Sequence, residues 1–353
     1  MSELYSKEKK QIWRIRFKFF YSEVLFAFIL IFIILALCRY VIFPLFENLN
    51  LVFFGILYYI IRAIVIVLII LFVLWIRGRH IPENEKIEIY PLEGQLRLYK
   101  ITRKNFKYQI LYGVLLFFLV LLPLEFLSFL LMPDIVGYQV DFLSGDPINS
   151  YLFESNYLQF LFYAIIVQVS VVLAQESIYR GFLAKRGSDH FMEMSAVIIS
   201  SLSFGMRTFI FYFDPLRLPY SPLTPVIWLI ESFIIGIVFS LVTIRRKWLL
   251  PAIIAYILNN ILFSHLIWNI FHGITSYTLL LFLYSPLFIG SVILLIWQYP
   301  RIRESISIGI GTLKSYLKKE DKKEKTTTDK AFRYQIDIII GLVIFLLGFL
   351  ISI

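Results

Sequence analysis

Ala174-Gln175-Glu176-Ser177-Ile178-Tyr179-Arg180-Gly181-Phe182 lies near the end of an apolar run that reaches from Tyr157 to Leu183. A run of this length exceeds the roughly 18 apolar residues a helix needs to cross a bilayer. Ionised Glu and Arg are costly there, so Glu176 and Arg180 require a structural or chemical reason. On an ideal helix they stand at i and i+4, on one face, where they can pair with each other or with a partner helix. Gln168 and Gln175 are seven apart and share a stripe on the same helix, which implies a buried interface or a wet cavity.

The rest of the chain repeats the apolar pattern. Of its 353 residues 59% are hydrophobic, 18% aromatic and only 16% charged, too few polar groups to cover a soluble domain of this size. Nine spans are predicted, at Phe17–Tyr40, Leu51–Ile76, Tyr108–Met132, Tyr157–Leu183, Met192–Phe213, Pro225–Ile244, Leu249–Trp268, Thr275–Trp297 and Tyr334–Ile353. The runs are continuous rather than alternating with period two, so helices and not barrel strands satisfy the backbone. The fold class is all-α, a polytopic helical bundle in a cell membrane. Its first apolar run is too long for a signal peptide and reads as a retained helix.

Charge orders the connections. Lys/Arg residues gather in the N-terminal segment, in the Arg77–Lys107 loop with eight of them, after spans four and six, and in Arg301–Arg333. The connection Pro133–Glu154 carries Asp134, Asp141, Asp146 and Glu154 and no basic residue. The positive-inside rule therefore predicts a cytoplasmic N-terminus, and an odd span count puts the C-terminus outside. The net charge of +10 resides in these short loops, so it argues for membrane lipids as partners and against nucleic acid. The single cysteine, Cys38, excludes an intrachain disulfide and a Cys-based zinc site and is read as a packing residue.

The expected organisation is a two-span extension over 1–107, a transmembrane domain over 108–300, a basic cytoplasmic linker over 301–333 and a last span over 334–353. Ile87–Tyr99 alternates apolar and polar residues about a Pro91–Gly94 centre and is predicted to be a hairpin resting on the bundle or the lipid surface. Lys318–Lys330 reads as a charged tether. Within the spans stand Arg62, Glu125, Gln168, Arg207, Thr208, Glu231, Asn259 and Asn260. Arg207 and Glu231 fall at similar depth on adjacent spans and are expected to form an interhelical ion pair. The Ile- and Lys-rich, aromatic composition fits a prokaryotic source.

Two further stretches complete a pattern: Phe204-Gly205-Met206-Arg207-Thr208 and Tyr256-Ile257-Leu258-Asn259-Asn260. With the opening stretch they resemble the CPBP family of membrane proteases (CAAX proteases and bacteriocin-processing enzymes, also called Abi or type 2 CAAX prenyl proteases). That family carries E-E-x-x-x-R, F-x-x-x-H and H-x-x-x-N on three separate membrane helices. The resemblance covers about Tyr108 to Pro300. It implies a Glu that activates water and two His and an Asn that hold zinc or stabilise an oxyanion, in a cavity that admits a peptide end.

Residue by residue, this chain departs from the pattern. Glu176, Arg180 and Asn260 occupy retained positions, whereas Gln175 stands for the first Glu, Thr208 for the first His and Tyr256 for the second. An amide cannot take up a proton as a carboxylate does, and neither Thr nor neutral Tyr is an ordinary zinc ligand. No bound metal is therefore expected, and His80, His190, His265 and His272 are read as interfacial. The implied function is a catalytically degenerate homologue in which Gln175, Phe204, Thr208 and Tyr256 line a site for a hydrophobic peptide, a lipid-modified chain or a membrane partner. The alternative is an active intramembrane metalloendopeptidase with an altered site.

Overall fold

A computed structural model describes residues 2–42, 50–79, 96–144, 147–206, 221, 223–318 and 327–352. The described residues are helical, joined by turns, and include no strand. Among the described residues, eight helices have the length and apolarity to cross a membrane: α1 (Ile12–Tyr40), α2 (Leu51–Ile76), α3 (Phe106–Leu131), α4 (Tyr157–His190), α6 (Leu223–Arg246), α7 (Leu250–Phe271), α8 (Ser276–Leu317) and α9 (Thr327–Gly348). The shorter apolar helix α5 (Glu193–Met206) stands between α4 and α6. The chain is an integral, multi-pass membrane protein.

The nine predicted spans thus map onto eight long helices and α5, whose predicted continuation to Phe213 runs into 207–220, outside the described residues. Two helix ends differ from the sequence expectation where polar residues are buried or helical. The last helix begins at Thr327 rather than Tyr334, because Asp329, Arg333 and Asp337 are each fully buried by tertiary partners. Likewise α8 continues past Trp297 through Arg301, Arg303 and Glu304 to Leu317, so much of the expected linker is helical.

The hairpin expectation is corrected in its second arm. Leu96–Leu98 form a helical turn, closed by bonds from the Tyr99 and Lys100 N–H groups to the carbonyls of Leu96 and Arg97. Leu98 is buried, and its carbonyl accepts the Leu249 N–H at 3.0 Å, so this piece does rest on the bundle. Docking of Leu98 outweighs the weak period-two pattern that suggested a strand. The first arm, to Gln95, lies outside the described residues. Cys38 is buried, as a packing residue should be.

Two apolar cores meet at α4. One joins α3, α4, α6, α7 and α8 through residues such as Phe117, Phe160, Phe239, Tyr256 and Tyr284. The other packs α1, α2 and α9 against Ala174, Phe182 and Leu183 of α4 and Ile199 of α5. Buried polar bonds clamp the terminal helices at one end of the bundle. Arg16 Nε donates to Asp337 at 2.6 Å and its Nη2 to Ser195 at 3.0 Å, while Tyr316 OH donates to the same Asp337 at 3.0 Å. Arg186 grips Glu23 with two 2.9 Å bonds, and His190 Nε2 lies 3.2 Å from Glu23.

Small residues set the spacing of α5 and α6. A Cβ placed on Gly236 would sit 2.8 Å from the Ser201 Cα, a backbone atom that cannot rotate away. Gly236→Ala should therefore lose stability by about 1–3 kcal/mol through overpacking. That exceeds the roughly 1 kcal/mol which Ala gains over Gly in a helix. Gly290→Ala, with nothing within 4 Å of its added Cβ, should keep or gain stability; thermal unfolding of both variants in detergent checks the contrast.

Candidate functional site

The site is built on α4. Asn156 caps it, its side chain accepting the N–H groups of Leu158 and Gln159, and regular winding runs from Tyr157 to Glu176. From Ser177 to Arg186 the helix is wound in the wider π form. Such segments are rare and often mark functional positions. The change of winding falls between the two halves of the opening motif.

Glu176 and Arg180 both have no solvent exposure, and Arg180 Nη1 lies 3.3 Å from Glu176 Oε1. Of the two pairings that helical spacing allows, within the helix or with a partner helix, the structure shows the one within α4. The guanidinium also stacks over aromatic faces, at 4.0 Å from the Phe204 ring centroid and 5.6 Å from that of Phe239. Tyr179 adds a third face at 5.9 Å. These rings come from α4, α5 and α6, and Tyr256 of α7 sits edge-on to Phe204 at 5.8 Å. A buried cation over aromatic rings gains on the order of 2 kcal/mol when desolvated, beyond its ion pair.

Of the expected site residues, the structure thus gathers Glu176, Arg180, Phe204 and Tyr256. Asn260 belongs to a different cluster. Its amide donates to Gln168 Oε1 at 3.0 Å, and Gln168 Nε2 in turn reaches Tyr151 OH at 3.0 Å and Ser264 Oγ at 3.1 Å. Burial pushes the Tyr151 phenol up to about 12, against the opposing hydrogen bonds to Ser264 and Gln168. It stays neutral at physiological pH and serves as a hydrogen-bonding group.

Gln168 and Gln175 are seven residues apart, about 10 Å along the helix axis. Gln175 is therefore not beside Asn260's partner; its side-chain carbonyl is buried and has no hydrogen-bond partner. Thr208 and Arg207 lie outside the described residues, and with them the expected Arg207–Glu231 pair. Among the described residues, Glu231 has Ser128 as a hydrogen-bonding neighbour and Glu125 as a charged one. That neighbourhood joins helices distant in sequence, and only the intramembrane polar residues themselves hinted at it.

The histidines stand apart from this centre. His265 Nδ1 lies 3.3 Å from Tyr157 OH and beside Asn269, while His272 stacks on Trp268 at 3.9 Å. His190 is held by Glu23 in the clamp described above, a tertiary role that the interfacial reading missed. His80 lies outside the described residues. Zinc does not fit the donor set in place. Gln175 and Tyr256 offer an amide and a phenol, Glu176 is engaged by Arg180, and among the described residues no three His, Cys, Asp or Glu gather into a metal-holding group.

Residues 157–262 match the family model described as Type II CAAX prenyl endopeptidase Rce1-like. The match runs from the start of α4 into α7 and contains every motif position from Gln175 to Asn260. No curated protein and no solved structure matches the chain.

A buried ion pair tolerates joint replacement better than loss of one partner. Glu176→Ala and Arg180→Ala should each cost about 3–5 kcal/mol and lower the folded yield. Glu176→Leu combined with Arg180→Met should recover most of that loss, read as the melting temperature of detergent-purified protein. A double variant no better than the worse single would refute the structural role.

Proposed function

Taking as premise that the chain belongs to the CPBP/CAAX-protease family through its Rce1-like residues 157–262, we propose that it binds a lipid-modified or hydrophobic peptide end without cutting it. The observation that carries this reading is Gln175. Where the family motif has its first Glu, this chain has an amide whose carbonyl is buried and without a hydrogen-bond partner. An orphaned buried acceptor costs about 1–3 kcal/mol, which a peptide N–H of a ligand would recover. The same amide cannot act as the base that activates water.

The roles of the neighbours follow. Glu176 is neutralised by Arg180, whose guanidinium holds α4 in register with the aromatic faces of Phe204 and Phe239. Tyr256, beside Phe204, offers an apolar ring surface where the family has an imidazole. Asn260 braces α7 against α4 through Gln168 and so acts as framework.

The test uses the full chain in detergent and a farnesylated CAAX peptide carrying a photoreactive group. Saturable crosslinking with no cleaved product in mass spectra is expected. Gln175→Leu should weaken the peptide about tenfold, in line with one lost hydrogen bond. Cleavage accompanied by stoichiometric zinc that Glu176→Gln removes would establish the alternative, an active metalloendopeptidase, and absence of crosslinking would reject the binding role.

A further inference from the structure

A second polar centre lies on the other flank of α7, and nothing in the degenerate motif accounts for it. Glu125 and Ser128 come from one turn of α3, Glu231 from α6, Asn259 from α7 and Tyr284 from α8. Glu125, Ser128 and Tyr284 are buried. Tyr284 OH donates to Glu125 Oε1 at 3.4 Å, and Asn259 is a second hydrogen-bonding neighbour of that carboxylate. Ser128 bonds to Glu231, and the two glutamates stand close enough to repel each other.

The charge balance is unlike that of the other buried clusters. Glu176 has Arg180, Glu23 has Arg186 and Asp337 has Arg16. Among the described residues, the polar neighbours of Glu125 and Glu231 are hydroxyls, an amide and each other. Two carboxylates in a membrane interior are expensive without a compensating cation. Two oxygens also remain unused: Glu125 Oε2 and Asn259 Oδ1 are both buried and have no hydrogen-bond partner. The second is a neutral amide oxygen, so the feature is more than a concentration of acids.

From this juxtaposition we propose that Glu125, Glu231 and Asn259, with Ser128 and Tyr284 beside them, form a binding site for a hard divalent cation such as Mg²⁺, Ca²⁺ or Mn²⁺. An all-oxygen donor set with two carboxylates selects such ions and disfavours zinc or copper, which prefer nitrogen and sulfur. Bound there, the ion ties α3, α6 and α7 together and cancels the repulsion between the glutamates. The site is independent of the peptide-binding reading: Asn259 precedes the motif Asn260, whose own amide turns to Gln168 on α4. Glu125 and Tyr284 lie outside the matched residues 157–262.

Full-length protein stripped with EDTA in detergent provides the test, with thermal unfolding followed against added Mg²⁺, Ca²⁺ or Mn²⁺ and NaCl at equal ionic strength as control. At least one divalent ion should raise the melting temperature saturably, by roughly 5 °C. Glu125→Gln and Glu231→Gln should each abolish that rise, and each should melt higher than metal-free wild type because the repulsion is gone. Electron paramagnetic resonance of Mn²⁺ with wild-type protein reads binding without any variant, and Asn259→Ala should weaken it about tenfold. A wild type that no divalent ion stabilises would mean that the pair is satisfied by protons or by the protein itself, and the proposal would fall. A rise that persists in both Gln variants would place the ion elsewhere and overturn it equally.

Discussion

The cost of charge in a medium without water governs this structure. Glu176 and Arg180 meet at 3.3 Å with no exposure to solvent, and the guanidinium lies over rings supplied by neighbouring helices. That arrangement constrains three elements at once. α4 must present both charges on one side, α5 must bring Phe204 to within 4.0 Å, and α6 must bring Phe239. Close approach of α5 and α6 is possible because Gly236 meets Ser201 without a side chain between them. The ion pair and the small-residue crossing are therefore parts of one packing solution.

The same rule explains how the terminal helices are attached. Apolar faces give little preference between lipid and protein, so helix association in a membrane leans on close packing and hydrogen bonds. Here α1 and α9 are joined by Arg16 and Asp337, and both reach Ser195 at the start of α5 or Tyr316 at the end of α8. Glu23 ties α1 to α4 through Arg186. These bonds connect the N-terminus, the α4–α5 connection and the α8–α9 region, segments that the Lys/Arg pattern assigns to one side of the membrane. Buried Glu125, by contrast, has the like-charged Glu231 as its charged neighbour.

Hydrophobic run length made the bundle legible from the chain alone, since Leu51–Ile76 and the start of α4 at Tyr157 are read directly from where apolar residues begin and end. Helix ends set by tertiary partners were not legible: Asp329 and Arg333 look like linker residues until their burial is seen. The Leu96–Leu98 turn failed for a related reason, because a three-residue docking contact outweighs a local alternation. In the site, helical spacing put Glu176 and Arg180 on one face but left open whether they pair with each other or with a partner helix. The separation of Asn260 from Tyr256 into different networks did not, because spacing on α7 fixes only a shared face and not which helix lies opposite. Glu125 and Glu231 were visible as costly residues, but their proximity depends on how α3 and α6 pack.

The pattern of retained and exchanged motif positions has a physical logic under the proposed reading. Glu176 and Arg180 are coupled, and removal of either strands the other as an unpaired charge in the membrane at a cost of about 3–5 kcal/mol. Asn260 is likewise bound into a chain with Gln168, Tyr151 and Ser264, where loss of one member leaves buried partners unsatisfied. Residues that serve a reaction have no such dependents in the fold. An amide such as Gln175 in place of a carboxylate removes the base while keeping nearly the same side-chain shape. A membrane protease that ceased to cut would therefore be expected to keep its coupled polar residues, as Glu176, Arg180 and Asn260 are kept here, and to exchange a position such as Gln175, whose buried carbonyl oxygen has no hydrogen-bond partner.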